Sequence, residues 1–205
     1  MTHRTIVRIA VSAALAGSVL LGLASSADAQ VKKPEPTKVA PAKAAPAKST
    51  VAATDGQPTQ LGTFGSWNVY ASDTANGRVC YALAIPKERL PANLTRDPGY
   101  FFVSTRPKEN VRDELSIVLG FPAKEGADAQ LVIGKSNFAA SPKMQVNTSV
   151  AWLKNPQDNA SVIEQMKKNP LLSLKVTSKR GNALTENYAL AGFAQALDQV
   201  KKACP

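Results

Sequence analysis

The sequence of 205 residues contains a single histidine, His3. Nucleophilic sites of the Ser/His/Asp and Cys/His types need an imidazole as their base, and many zinc and copper sites use histidine as a ligand. His3 lies in a segment that we expect to be removed after export, for reasons given below. We therefore expect the mature chain to have no catalytic site of these types, no metal site and no cofactor.

Cysteine is nearly as scarce, because the chain has only Cys80 and Cys204. Two cysteines without histidine are too few for a conventional structural zinc site, and they lack the close Cys-x-x-Cys spacing of a redox pair. In an oxidising compartment an even number of cysteines is usually paired. We expect a structural disulfide between Cys80 and Cys204, with a redox pair or free thiols as the alternatives.

Long apolar runs are also missing, apart from IAVSAALAGSVLLGLA near the start of the chain. This run is shorter than the ~20 residues that a membrane-spanning helix needs. Arg4 and Arg8 precede it, and the small-residue triplet ADA, which ends at Ala29, follows it. This order is typical of a signal peptide, so we expect residues 1–29 to be cleaved after export and the mature chain to have no transmembrane segment. An uncleaved membrane anchor is the alternative.

Residues 30–58 lack aromatic side chains and are rich in Ala, Pro and Lys. Such a segment buries too little apolar surface to offset the entropy lost on ordering. We interpret it as a disordered linker. The five lysines in it could contact anionic polymers weakly, although a solvated spacer is the simpler interpretation.

Clusters of like charge are missing too, although the whole chain has a net charge of +10. From residue 78 onwards, basic and acidic side chains are interleaved. A nucleic-acid groove requires clustered basic residues with stacking aromatics, so we expect no nucleic-acid partner. We expect the protein in the periplasm, with the outer surface or the medium as alternatives.

Residues 59–205 contain several short segments rich in β-branched and aromatic residues, with turn signals between them. This pattern predicts one mainly β domain, an antiparallel β-sandwich or barrel-like fold, with a short helix and a C-terminal helix packed on it. The predicted strands are Ser66–Ala71, Arg78–Ile85, Tyr100–Arg106, Glu114–Gly120, Ala129–Gly134, Lys143–Trp152 and Leu171–Ser178.

The short helix is predicted in NASVIEQMKKNP. Ser161 and Glu164 have the spacing of a capping box, and Val162, Ile163 and Met166 share one face.

The second helix is predicted in YALAGFAQALDQVKKA, beginning at Tyr188. Four apolar residues lie at helical spacing, which indicates a face packed on the sheet: Leu190, Phe193, Leu197 and Val200. Gly192 within this helix would be unfavourable unless close packing requires it.

Two groups of residues could carry a ligand site. Asp113, Glu114 and Glu164 are the carboxylates considered for a glycosidase-like pair, although a role as ordinary polar surface is far more common. A glycan-binding face could be lined by aromatics, although such residues more often fill a core. The aromatics in question are Trp67, Tyr70, Tyr81, Tyr100, Phe101 and Phe102.

The segments GSWNVY, VCYA, VIEQMKKNPLLSLKVTS and YALAGFAQALDQV resemble those of the invasion-associated locus B proteins of alphaproteobacteria. The resemblance covers most of the chain between Thr63 and Cys204. Many members carry an extra cysteine pair before the short helix, whereas this chain has NTSVAWLKN with Trp152 and no cysteine there.

Members of this family are small exported envelope proteins, associated in pathogens with entry into host cells, and no enzymatic activity is assigned to them. The resemblance therefore implies a non-enzymatic envelope or secreted interaction protein whose partner is an unidentified envelope or host-surface component. A periplasmic structural or cell-wall-associated domain is the alternative, and a histidine-free glycan hydrolase is a distant third.

Overall fold

The computed structural model describes residues 56–205. The predicted signal peptide, and all but the last three residues of the predicted linker, lie outside the described residues. Within residues 56–205, no helix combines the length and the apolar character that crossing a bilayer requires.

The described part of the chain forms one open antiparallel sheet of eleven strands with two helices. The strands are β1 Thr59–Phe64, β2 Trp67–Thr74, β3 Gly77–Ala84, β4 Glu88–Leu90, β5 Tyr100–Arg106, β6 Val111–Val118, β7 Ala129–Ile133, β8 Ser136–Gln145, β9 Thr148–Leu153, β10 Leu171–Thr177 and β11 Ala183–Ala189; the helices are α1 Asn159–Lys168 and α2 Phe193–Ala203. The order across the sheet is β1-β2-β3-β5-β6-β9-β8-β7-β10-β11-β4. The mainly β class and the two helices are thus confirmed.

The sheet curls until strands distant in its order touch across the core. Phe101 on β5 packs against Tyr188 on β11 with ring centroids 5.4 Å apart. The indole nitrogen of Trp67 on β2 donates to the main-chain oxygen of Ala189, at 3.1 Å. Side chains along β2, β3 and β5 alternate between buried and partly exposed, because successive residues of a strand point to opposite faces. One face of the sheet therefore encloses the core and the other faces outward.

Helix α2 lies against the inner face near β1, β2 and β3 and buries Phe193, Leu197 and Val200. It brings Cys204 to Cys80 on β3, and the two cysteines form a disulfide with Cα atoms 5.9 Å apart. The expected pairing is confirmed.

Two arginines also hold the chain after α2. Arg78 donates to the main-chain oxygen of Ala203, and Arg112 donates to those of Cys204 and Pro205. These bonds satisfy carbonyl groups that the end of a helix leaves without partners.

Replacing Cys204 with serine should lower the stability of the oxidised protein without changing its topology. The disulfide closes a loop with a sequence separation of 124, so its loss should cost about 2–4 kcal/mol. Thermal unfolding of parent and Cys204→Ser, each with and without reductant, measures the effect. Equal melting temperatures under oxidising conditions would refute the prediction, and a reductant should shift only the parent.

The predicted capping box of the short helix is wrong. Helix α1 begins at Asn159, so Ser161 and Glu164 lie inside it. The reason is a preceding 3-10 turn, Pro156–Asp158, which leads directly into the helix. Glu164 instead forms an ion pair with Lys167 at 2.8 Å. The predicted buried face of Val162, Ile163 and Met166 is confirmed.

The predicted strand Lys143–Trp152 is wrong as a single strand. It is interrupted at Val146 and Asn147, which form the turn between β8 and β9. Val146 has a φ of 42° there, a conformation that a β-branched residue rarely adopts. Asn147 favours a turn, but valine is a strand former and the flanking residues continue the strand pattern, so this signal does not stand out.

Helix α2 begins at Phe193 rather than at Tyr188, which belongs to β11. Gly192 is therefore the residue before the helix, with a left-handed φ of 86°. A Cβ atom at this position would collide with the main-chain oxygen of Phe64. Close packing does explain this glycine, but at a strand-to-helix turn and not within a helix.

Gly181 provides a matched control for Gly192, since its φ is also 86° but a Cβ atom added there would have no neighbour within 4 Å. Gly181→Ala should cost only the conformational strain of about 1–2 kcal/mol. Gly192→Ala should cost about 1–3 kcal/mol more, because it adds a clash with fixed backbone. Urea unfolding of the two variants tests this, and equal losses of free energy of unfolding would contradict it.

Candidate binding surface

Four aromatic side chains form a continuous row on the outer face of the sheet, here called the aromatic face: Tyr70, Tyr81, Phe102 and Tyr100. Tyr70 and Tyr81 are stacked with centroids 5.4 Å apart, and Tyr81 meets Phe102 at 5.7 Å. Phe102 lies 6.1 Å from Tyr100 on the same strand. All four are partly exposed. Since the core lies on the opposite face, these rings offer apolar surface to the outside.

The structure divides the six aromatics predicted from the sequence. Trp67 and Phe101 are fully buried and form the centre of the core with Phe193 and Tyr188. The interpretation as core was correct for those two residues. The other four form the aromatic face, so the interpretation as a ligand-lining surface still stands for them.

Amide and hydroxyl groups border the aromatic face on the side of β1. The Asn68 carboxamide oxygen accepts from the hydroxyl of Thr63 at 2.7 Å and from the amide of Gln60 at 3.1 Å. Gln60 pairs directly with Tyr70 in the sheet register. This polar cluster therefore lies beside the first ring of the row.

An ion pair borders the same face on the side of β6. Arg106 donates to the carboxylates of Glu114 at 3.0 Å and Glu109 at 2.7 Å. The hydrogen bond to Glu114 is the main reason that the pKa of Arg106 is raised. Glu114 pairs with Ser104, which pairs with Tyr81. This border therefore holds one cation between two carboxylates.

A cavity of about 360 Å³ continues the surface beyond the ion pair. Glu114 and Trp152 both line it. Trp152 on β9 lies in register with Ser116, which in turn lies in register with Phe102. No sequence pattern groups Trp152 with the other aromatics, because the strands that bring it close are far apart in the chain.

Burial affects the chemistry of one ring in the row. Desolvation, and then the proximity of Tyr70, raise the pKa of Tyr81 above its ordinary value of 10.0. The Tyr81 hydroxyl therefore remains protonated at physiological pH and can both donate and accept a hydrogen bond.

The carboxylates that the sequence suggested for catalysis are each engaged by a cation. Asp113 pairs with Lys201 at 3.1 Å, Glu114 with Arg106 at 3.0 Å, and Glu164 with Lys167 at 2.8 Å. Within residues 56–205, no group of three or more acidic, cysteine or histidine side chains is arranged to hold a metal ion.

A fully buried carboxylate that the sequence did not single out lies on β11. Glu186 accepts from the Arg89 Nε at 2.7 Å and from the Tyr188 hydroxyl at 2.9 Å. Arg89 also donates to the main-chain oxygens of Asp97 and Leu119. This network joins β4 and β11 to two loops at one end of the sheet.

Tyr188 should make stability depend on pH in the alkaline range. Burial, and then the charge of Glu186, raise its pKa well above the ordinary value of 10.0. The folded protein therefore keeps a proton that the unfolded chain loses, so this contribution is complete below about pH 10 and is lost as the pH rises further. Tyr188→Phe should therefore lose less stability than the parent as the pH rises above about 10. Urea unfolding between about pH 8 and pH 11 measures it, and identical pH dependence in parent and variant would count against the prediction.

The fold and surface define a small, disulfide-linked antiparallel β-domain with an outward-facing aromatic row. A solved structure of this kind is the crystal structure of invasion associated protein b from Bartonella henselae. The two align with a TM-score of 0.51 and 13% sequence identity over 71% of this chain and 96% of that one. No protein-family model and no curated protein sequence matches the chain. The resemblance drawn from sequence segments is thus accompanied by a likeness of fold to a protein of that name.

Proposed function

We propose that the protein is an exported, non-enzymatic binding protein of the invasion-associated type, and that its aromatic face binds a neutral glycan. The likeness of fold to invasion associated protein b supports the type, and the disulfide suits an oxidising compartment. Cleavage of residues 1–29 and location in the periplasm belong to the same proposal.

The observation that carries the binding role is the row of four rings on a face that the core does not use. Aromatic rings on an exposed sheet face leave apolar surface in contact with water, and a partner that covers them gains the free energy of burying that surface. Their contact with one another forms an extended strip, in which Tyr70 and Tyr81 are stacked and the rings that follow are inclined to them. A strip suits a chain of repeating units better than a compact small molecule.

The chemistry along the strip favours a glycan as the occupant. One side of a sugar ring is formed by C–H groups, which pack on aromatic faces, while its hydroxyls need hydrogen-bonding partners. Asn68 and its neighbours supply amides beside Tyr70, and Glu114 supplies a carboxylate beside the Trp152 cavity. Two cations, Arg106 and Arg112, and two carboxylates, Glu109 and Glu114, lie at this end of the strip, so the ligand that we propose is neutral.

Binding without turnover is the simplest role for these groups. The carboxylate of Glu114 is held by Arg106, and that of Asp113 is held by Lys201. A glycosidase needs two carboxyl groups that face one cleft, whereas these two are committed to separate ion pairs.

The aromatic face can be tested with soluble oligomers of N-acetylglucosamine, a sugar found in bacterial cell walls and in host glycans. Tyr81→Ala and Phe102→Ala should each weaken binding by about tenfold, since each removes a stacking surface. Tryptophan fluorescence provides the readout, because Trp152 lines the cavity whereas Trp67 is fully buried.

Phe138→Ala is the matched control, since Phe138 is also a partly buried strand phenylalanine but packs against the core. It should lower stability and leave glycan affinity unchanged. Tighter binding of peptidoglycan fragments than of host-type glycans would indicate a cell-wall role, and the reverse order a host-facing role. Absence of saturable binding to any of these glycans would refute the proposal, and release of new reducing ends would refute its non-enzymatic part.

A further inference from the structure

A second and larger cavity, here called the loop groove, lies at the end of the sheet remote from α2. Strand β6 begins near Arg112, which bonds to Cys204, and leads at its other end to Gly120 in the groove. The cavity has a volume of about 680 Å³. Ligand sites commonly occupy the mouths of curled β-sheets, where loops from several strands converge.

Hydrogen bonds between the loops give the groove a built wall. Ser178 at the end of β10 accepts from the main-chain nitrogen of Asn182 and so closes the turn into β11. The main-chain nitrogen of Lys179 donates to the oxygen of Pro122 at 2.9 Å, which fastens this turn to the loop after β6. The wall is therefore formed before any ligand arrives.

The buried network described above holds the opposite wall. Arg89 donates to the main-chain oxygens of Asp97, which lines the groove, and Leu119, which precedes it, while Glu186 fixes its guanidinium. Arg96 bonds to the main-chain oxygens of Leu90 and Pro91 and so closes its own loop. Because the walls are already formed, less conformational entropy is lost when a ligand binds.

The charge of the loop groove is positive. Arg96, Lys179 and Arg180 line it, and Asp97 is the one acidic residue of the lining. Among residues 56–205, none of the three basic side chains forms an ion pair. Burial, and then the nearby charge of Arg89, lower the pKa of Arg96. An anion in the groove would offset a positive charge that the protein itself leaves unmatched.

The lining is also partly apolar, because Leu94, Phe121, Pro122 and Leu184 face the same space. A small inorganic ion would leave these side chains uncovered. A ligand that combines an anionic group with an apolar body would satisfy both parts of the lining.

We propose that the loop groove binds an amphiphilic organic anion, a phosphate or carboxylate carried on an apolar chain. Lys179 and Arg180 contact the anionic group, and Leu94, Phe121 and Leu184 pack against the apolar part. This site is separate from the aromatic face, so the two proposals stand or fall independently.

Octyl phosphate below its micellar concentration is the probe, and the parent should bind it saturably in isothermal titration calorimetry. The double variant Lys179→Glu/Arg180→Glu should weaken binding by at least about tenfold, because two charge-assisted contacts become repulsive. Lys175→Glu, on the exposed side of β10 outside the groove, should leave the affinity unchanged. Binding should also weaken as salt is added.

Inorganic phosphate and octanol separate the two parts of the recognition. Both should bind at least about tenfold more weakly than octyl phosphate, since each uses half of the lining. Equal affinity for inorganic phosphate would refute the apolar part, and equal affinity for octanol would refute the anionic part. Unchanged affinity in the double variant, with a melting temperature like that of Lys175→Glu, would refute the site itself.

Discussion

The fully buried carboxylate of Glu186 constrains several parts of this structure at once. An isolated charge in a protein interior is strongly unfavourable, so Glu186 needs Arg89 opposite it and the Tyr188 hydroxyl beside it. Arg89 in turn can reach Glu186 only because β4 pairs with β11 at that point. The charge of Glu186 therefore helps to position β4, the loop that follows β4 and the loop after β6.

The core, the two ends of the sheet and its outer face have different roles. On the core side, Tyr188 packs against Phe101, which is in contact with Trp67. At one end of the sheet, α2 and the disulfide close the structure. At the other end, the loops leave a groove open. The outer face of β2, β3 and β5 remains available for contact with a partner, so the two proposed binding surfaces share no residue.

The sequence predicted much of this architecture because strands and helices leave local patterns. Strand β5 was predicted with its observed bounds, since YFFVSTR is rich in β-formers and follows a clear turn signal. Strand β11 was missed because the alternation of Leu184, Glu186 and Tyr188 places a charge where an apolar residue is expected. That charge is tolerable only through Arg89, nearly a hundred residues earlier, which no local pattern can reveal.

The binding surfaces were harder to predict than the strands. In Tyr100, Phe101 and Phe102, both faces of a strand are aromatic, so alternation alone cannot say which face is inside. Which face is buried depends on the side chains that pack against it. Trp67 and Tyr188 pack against Phe101 because the sheet curls and brings β2 and β11 to the same side of β5. The loop groove combines residues from four separate segments, and Arg96 joins Lys179 and Arg180 there only once the chain has folded.

The two edges of the sheet bear on how copies of the chain behave when they are crowded together. An exposed edge strand can pair with the edge of another molecule and start a fibril. At one edge, β4 has only three residues and is followed by Pro91, which has no N–H to donate. At the other, the pairing of β1 with β2 is irregular between Gln60 and Gly62. Neither edge offers a long, regular template, so the open sheet is protected against edge-to-edge aggregation without having to close.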